Sequence, residues 1–198
     1  TPECDVKYAP PPDSTYGFQK LATEYFAKGA YEQYKLPYTI VRPFNCVGVG
    51  EEEAIDPTAR TAGNDKLQLS HVVPDLVMKV LQGQDPLEIL GSGSQVRCYT
   101  NGKDVARGIV LAMESEEAEC RDFNISTPTP TTVLELASKI WSKLRKGPLH
   151  YKCVDPFVYD VQKRIPDTSR ARNVLGFHAT ITLDQSLDEV IAWLKKKL

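Results

Sequence analysis

Apolar residues recur at three- and four-residue spacing across residues 14–30, where Phe18, Leu21, Ala22, Tyr25 and Phe26 form one stripe. That period predicts an amphipathic helix. Ser14 or Asp13 is placed to cap it, and Gly29 weakens its end, with a further turn carrying it to residue 35. The run Pro10, Pro11, Pro12 admits neither helix nor central strand, so residues 1–14 read as a loop. Tyr38, Thr39, Ile40 and Val41 follow Pro37 as a short β-rich run, the signature of a buried strand. Helical stripes return at residues 72–82, 103–113, 133–144 and 183–198. Residues 87–90 and 95–100 read as two strands joined by Gly91, Ser92, Gly93 and Ser94, in the pattern of a hairpin. Residues 123–125 form a further strand, and residues 149–154 an edge strand. The stretch 44–69, with Glu51, Glu52 and Glu53, reads as a long loop of the kind that tends to serve function. Strands alternating with helices predict an α/β chain.

Charge and cysteine usage narrow the function. The 24 Lys+Arg against 26 Asp+Glu leave a net charge of −2, which argues against a nucleic-acid partner held by bulk electrostatics. A 41% hydrophobic content in 198 residues is too apolar for a disordered chain. No run approaches the roughly 18 uncharged apolar residues of a membrane span; the best candidate, 72–81, contains Asp75 and Lys79. Cys4, Cys46, Cys98, Cys120 and Cys153 are scattered and contain no C-x-x-C pair, which fits a reducing, cytoplasmic setting and no structural zinc. His71, His150 and His178 lack metal-ligand spacing, and His71 is assigned no role. No secretory leader is present. The chain begins at Thr1, as a piece of something longer would.

Tyr16 and Lys20 lie one turn apart on the first helix, about 40° around its axis. A neighbouring ammonium favours phenolate, and such a phenol exchanges a proton with a hydroxyl. The apolar stripe lies on the opposite side, so it is expected to be the helix's core contact, with Tyr16 and Lys20 pointing toward water or a ligand. Spacing alone does not single this pair out, because Tyr31–Lys35 and Tyr159–Lys163 share it. On residue type alone Asn45 reads as a turn residue, Arg97 and Arg164 as exposed arginines, and Gly91 and Gly93 as turn glycines.

Context separates the first pair from the others. Residues 12–24, Pro-Asp-Ser-Thr-Tyr-Gly-Phe-Gln-Lys-Leu-Ala-Thr-Glu, resemble the active-site helix of the extended short-chain dehydrogenase/reductases, the NAD-dependent epimerases and dehydratases of nucleotide sugars. Val41-Arg42-Pro43-Phe44-Asn45-Cys46-Val47-Gly48 resembles that family's strand and substrate loop. Val72-Val73-Pro74 is similar to its "V-I-P" segment, and Gly91 to Arg97 resembles its "G-x-G-x-Q-x-R" hairpin. Asp104-Val105-Ala106-Arg107-Gly108 looks like the usual helix start, and the 164–171 and 175–177 stretches look like "D-x-S-K-A … L-G-W/F". Six segments in the right order make the resemblance specific.

The resemblance implies the C-terminal part of a Rossmann-type parallel sheet plus a small substrate-binding α/β subdomain. Residues 1–45 would end the Rossmann-like part. Residues 46–198 would be mainly the substrate-binding part, with Rossmann elements returning near 103–126. It implies transient oxidation of a sugar hydroxyl by NAD, rather than NADP, in a nucleotide-sugar epimerase or dehydratase. Tyr16 would be the general base and acid, and Lys20 would support it and bind the nicotinamide ribose. Asn45, Arg97 and Arg164 would hold a nucleoside-diphosphate sugar. The family's Tyr/Lys helix also implies a homodimer.

The family's glycine-rich pyrophosphate turn and its catalytic Ser or Thr have no counterpart in these residues, and Cys98 stands where Asp is common. Uncovered sheet edges and helix faces are therefore expected, with marginal stability or a partner carrying the cofactor half. A non-catalytic nucleotide-sugar or protein-binding module derived from the family is the alternative. A short-chain dehydrogenase acting on a small alcohol or steroid is disfavoured, because the long region after the Tyr/Lys helix suits a bulky substrate.

Overall fold

Ser14 accepts a hydrogen bond from the Gly17 N–H at 3.1 Å and so opens the first long helix, α1 (Thr15–Tyr34). The computed structural model describes residues 1–50, 71–156 and 161–198. The helix passes through Gly29 and ends at Lys35, whose φ of 56° is left-handed. Ahead of it, Glu3–Lys7 forms a 3-10 turn inside the stretch expected to be loop, and the three prolines follow that turn. Strands β1 (Thr39–Pro43) and β2 (Cys46–Val47) come next. The long acidic loop expected before α2 lies mostly outside the described residues, as does Tyr159.

The chain continues through α2 (Val72–Leu81), β3 (Leu87–Leu90), β4 (Val96–Arg97), β5 (Thr100–Asn101) and α3 (Gly102–Glu114). Then come β6 (Arg121–Ile125), β7 (Thr131–Thr132), α4 (Val133–Leu144), β8 (Tyr151–Val154), α5 (Ser169–Leu175) and α6 (Leu183–Lys195). Strand β1 pairs in parallel with β6, from Thr39 opposite Arg121 to Pro43 opposite Ile125. Strand β2 pairs in parallel with β5, and β3 with β8. Such parallel pairs between distant strands, with helices between them, mark an α/β fold of Rossmann type.

The expected hairpin is not formed. Strand β3 pairs with β8, and β4 runs antiparallel to β7. The connecting segment is held by the start of α4: Leu134 N–H donates to the Gly93 carbonyl at 2.9 Å, and Val133 N–H to the Gln95 carbonyl at 3.0 Å. With those carbonyls committed to the helix's first N–H groups, the segment does not fold back on β3.

Among the described residues, two apolar clusters form. One gathers Phe123, Ile125, Ala171 and Phe177 around β1, β6, α3 and α5. The other joins α2, α4, α6 and β3 through residues such as Val77, Ile89, Ile140 and Leu187. Gly108 lets α3 approach β6, since a Cβ there would meet Ile125 Cγ2 at 2.6 Å and Phe177 Cε2 at 3.1 Å. Alanine would gain about 1 kcal/mol of helix propensity. It would lose about 1–3 kcal/mol by overpacking against a buried β-branched side chain. The Gly108→Ala variant is thus expected to be less stable in a urea melt; equal or higher stability would contradict this packing.

Helix α1 buries none of its residues. Phe18, Tyr25 and Phe26 of its apolar stripe are exposed, Phe18 at 58% and Phe26 at 78%, and Leu21 and Ala22 are half-buried, contrary to the expectation that this stripe is the core contact. The opposite side meets the sheet. Glu24 pairs with Arg42, and the Tyr31 ring lies edge-on to Tyr38 with centroids 6.2 Å apart. An ion pair and an aromatic edge contact thus take the place of hydrophobic packing. Val110 and Met113 of α3 are exposed as well, which matches the expected uncovered helix faces.

Candidate functional site

Tyr16 and Lys20 sit in the first turns of α1, and the Lys20 ammonium lies 5.4 Å from the centroid of the Tyr16 ring. Tyr16 is 67% exposed. These residues share the side of α1 that carries Glu24 and Tyr31, successive positions on this side being about 40° or less apart. That is the side turned toward β1.

Two contacts set the direction of α1 along β1. Tyr31 meets Tyr38 at the start of the strand, and Glu24 meets Arg42 near its end. The helix therefore runs antiparallel to the strand. Asn45 lies three residues beyond Arg42, about 10 Å of extended chain. The same distance along the helix is about six to seven residues. Counted back from Glu24, this brings the Asn45 end of the strand level with residues 17–18, between Tyr16 and Lys20.

Asn45 itself has φ of 39°. This left-handed conformation suits asparagine better than most side chains. Its backbone carbonyl accepts the Thr100 N–H at 3.1 Å, and its side-chain amide donates to the Cys98 carbonyl at 3.4 Å. Asn45 is thereby fastened beside the segment that carries Arg97. Arg97 lies on β4, and its Nη1 donates to the Val96 carbonyl at 2.9 Å. Val96 N–H donates to the Gln162 carbonyl at 2.9 Å, and Arg164 N–H returns to the Val96 carbonyl at 3.0 Å. The structure therefore brings Asn45, Arg97 and Arg164 onto one continuous hydrogen-bonded strip. Tyr16 and Lys20 stand on a separate element, α1, which the residue count above brings level with the Asn45 end of that strip.

The Cys98 thiol is buried, and burial pushes its pKa up. It is a small apolar filler in a position that suggested a carboxylate. His71 precedes α2 as its N-terminal flanking residue, without a capping side-chain hydrogen bond. A hollow of 440 Å³ opens beside Gly91, Gln95, Cys153 and Gln162. It touches the strip at Gln162 but includes neither Asn45 nor Tyr16, so it is set apart from the arrangement above.

Two residues of the arrangement carry no signal of their own in the sequence. Glu24 and Arg42 stand within recognisable segments, yet only the structure joins them in a forked pair at 2.7 Å on both arms.

The model of the "NAD dependent epimerase/dehydratase family" matches residues 2–126. The chain belongs to this family. Among curated relatives, the UDP-N-acetyl-alpha-D-glucosaminuronate decarboxylase of Bacillus cytotoxicus is 28% identical over 189 residues. That match covers 92% of this chain and 53% of the relative. UDP-glucuronic acid decarboxylase 1 of Danio rerio is 27% identical, over 94% of this chain and 40% of its own length. The chain thus spans about half or less of the length of these relatives. Among solved structures, the UDP-glucose 4-epimerase of Thermotoga maritima, determined with UDP-glucose, superposes with a TM-score of 0.80 at 30% identity. It is matched over all of this chain and 57% of its own. MoeE5, determined with UDP-glucuronic acid and NAD, gives a TM-score of 0.80 at 28% identity, over 100% of this chain and 60% of its own. No helix among the described residues is long and apolar enough to cross a membrane.

Proposed function

We propose that the chain supplies the acid–base pair and the sugar-nucleotide strip of an NAD-dependent enzyme that oxidises a hydroxyl of a UDP-sugar. The observation that carries this reading is the antiparallel course of α1 over β1, which brings Tyr16 and Lys20 level with Asn45. Tyr16 takes the hydroxyl proton as the carbon–hydrogen bond gives up its hydride, and returns a proton when the hydride comes back. Lys20 supports the negative charge on the phenol oxygen and holds the nicotinamide ribose. These two exposed polar ends, side by side on one helix face, fit that ribose and the substrate hydroxyl. NAD, when bound, supplies the hydride acceptor.

Asn45 offers amide donors to the diphosphate. The guanidinium groups of Arg97 and Arg164 offer forked donors to phosphate oxygens. Epimerisation, dehydration and decarboxylation of the sugar all begin with this oxidation, and the relatives include both epimerases and decarboxylases. Residues 1–45 with the returning 103–126 elements form the Rossmann-like part in this reading, and the cluster around α2, α4 and α6 forms the substrate-binding part. The exposed Phe18, Tyr25 and Phe26 side of α1 is the surface on which a second copy packs to form a homodimer.

Calorimetric titration with UDP-glucose or UDP-glucuronate tests the strip. Arg97→Ala is expected to weaken binding about 10-fold or more, the scale of one lost charge-assisted hydrogen bond. Asn45→Asp keeps the left-handed backbone but sets a carboxylate against the diphosphate, and is expected to weaken it at least as much. Binding unchanged in both variants would overturn the assignment. Binding that persists in an enzyme without turnover would favour a binding module.

A further inference from the structure

Helix α1 carries the proposed acid–base pair, yet none of its residues is fully buried. It is joined to β1 by the Tyr31 ring against Tyr38 and by Glu24, and Glu24 is the directional contact nearer to Tyr16 and Lys20. Arg42 donates from Nε to Glu24 Oε1 and from Nη2 to Oε2, both at 2.7 Å. The two side chains are 16% and 14% exposed. A forked arginine–carboxylate pair is planar and directional, and at this burial it escapes most solvent screening.

The clamp is itself braced. Arg42 Nη2 also donates to Asp122 Oδ2 at 2.8 Å, from the neighbouring strand β6. Arg170 of α5 pairs with the other oxygen of Asp122. Glu3, buried beneath, lies 3.8 Å from Arg170 Nε and accepts the Asn124 N–H at 3.0 Å. Alternating charges thus run from α1 through both strands to α5 and the first turn of the chain.

We infer that Arg42 and Glu24 are positioning residues, which set the rotation of α1 and thereby aim Tyr16 and Lys20 at the end of β1 where Asn45 lies. This rests on the reading of Tyr16 and Lys20 given above. Glu24 is four residues from Lys20 and eight from Tyr16, about 40° and 80° around the helix, so a clamp at Glu24 governs the direction of both. At a side-chain radius of about 5–6 Å, a rotation of 10° moves a side-chain tip by about 1 Å. A misplacement of that size costs about 100-fold in rate. Arg42 also lies on β1, whose end at Pro43 leads within two residues to Asn45, so one segment fixes both the helix and the proposed sugar-nucleotide contact.

The test uses the NAD-loaded enzyme expressed from its full reading frame, with a UDP-sugar as substrate. Glu24→Gln and Arg42→Lys, which keep size or charge but lose the fork, are expected to lower kcat about 100-fold. KM and NAD affinity stay within a few-fold, and Glu24→Asp recovers part of the loss. A kcat within twofold of the parent in both variants would overturn the inference. Tyr16→Phe is the control: if it leaves turnover intact, the acid–base reading fails on its own account. Amide hydrogen exchange then still decides the role of the clamp. In Glu24→Gln, amides around residues 16–24 are expected to exchange about 10-fold faster, with β1 and β6 unchanged. Unchanged α1 exchange, or equal loosening of the strands, would overturn the inference.

Discussion

A Tyr16→Phe enzyme is expected to bind UDP-sugar and NAD with near-parental affinity and to turn over about 1,000-fold more slowly. The phenol oxygen is the only heavy atom removed, and positioned acid–base groups contribute about 100- to 10,000-fold. Tyr16 is largely exposed and buries nothing, so its loss leaves the fold undisturbed. A lowered kcat at constant KM is the signature of an interaction made only in the transition state. Steady-state kinetics and equilibrium binding on the same samples check this. A residual rate within tenfold of the parent would remove Tyr16 from the chemistry.

Asp104→Ala is expected to cost about 3 kcal/mol, the largest stability loss foreseen for a single side chain here. Asp104 is 1% exposed. Its Oδ2 accepts the Thr180 and Ile181 N–H groups at 2.9 and 2.8 Å, and its Oδ1 accepts Thr180 Oγ1 at 3.0 Å and Arg107 Nη2 at 2.8 Å. Alanine would strand two backbone donors, each worth about 1–3 kcal/mol when buried and unpaired. The share from Arg107 is smaller because that side chain is 38% exposed. At about 2–4 °C per kcal/mol for a chain of this size, the melting temperature should fall by about 6–12 °C.

The same carboxylate makes stability depend on pH. Burial pushes its pKa up, but the hydrogen bonds from Arg107, Ile181 and Thr180 prevail and hold it below 3.8. A depressed folded pKa stabilises the native state above the unfolded value of about 3.9, and that contribution is lost as pH falls through the folded pKa. The stability gap between the parent and Asp104→Asn should therefore be flat from neutral pH down to about 5 and close below about 4. A gap that widens on acidification would contradict this environment.

The helices α2, α4 and α6 are legible in the sequence because each has one apolar stripe that meets the same cluster; α3 is legible by its period, but Val110 and Met113 of its stripe are exposed and the side it buries carries Asp104, Gly108 and Ala112. The parallel pairing of β1 with β6 follows from helices that intervene between apolar runs. The pairing of β3 with β8 does not, because the glycines between β3 and β4 mimic a hairpin turn. Only the hydrogen bonds of Gly93 and Gln95 to the start of α4 rule that turn out. The orientation of α1 is hidden from the sequence for a related reason. Its apolar stripe obeys the usual period, but the side that meets the sheet is built from Glu24, Arg42, Tyr31 and Tyr38, and local patterning does not report pairs between distant polar residues. Tyr16, Lys20, Asn45 and Arg97 were legible as family motifs. The clamp behind them was not.

A structure of the full-length enzyme with NAD and a UDP-sugar is the most direct measurement. It should show the sugar hydroxyl within hydrogen-bond reach of the Tyr16 oxygen, the nicotinamide ribose on Lys20, and the diphosphate between Asn45 and Arg97. A diphosphate bound away from both of those residues, or a Tyr16 ring turned from the sugar, would contradict it.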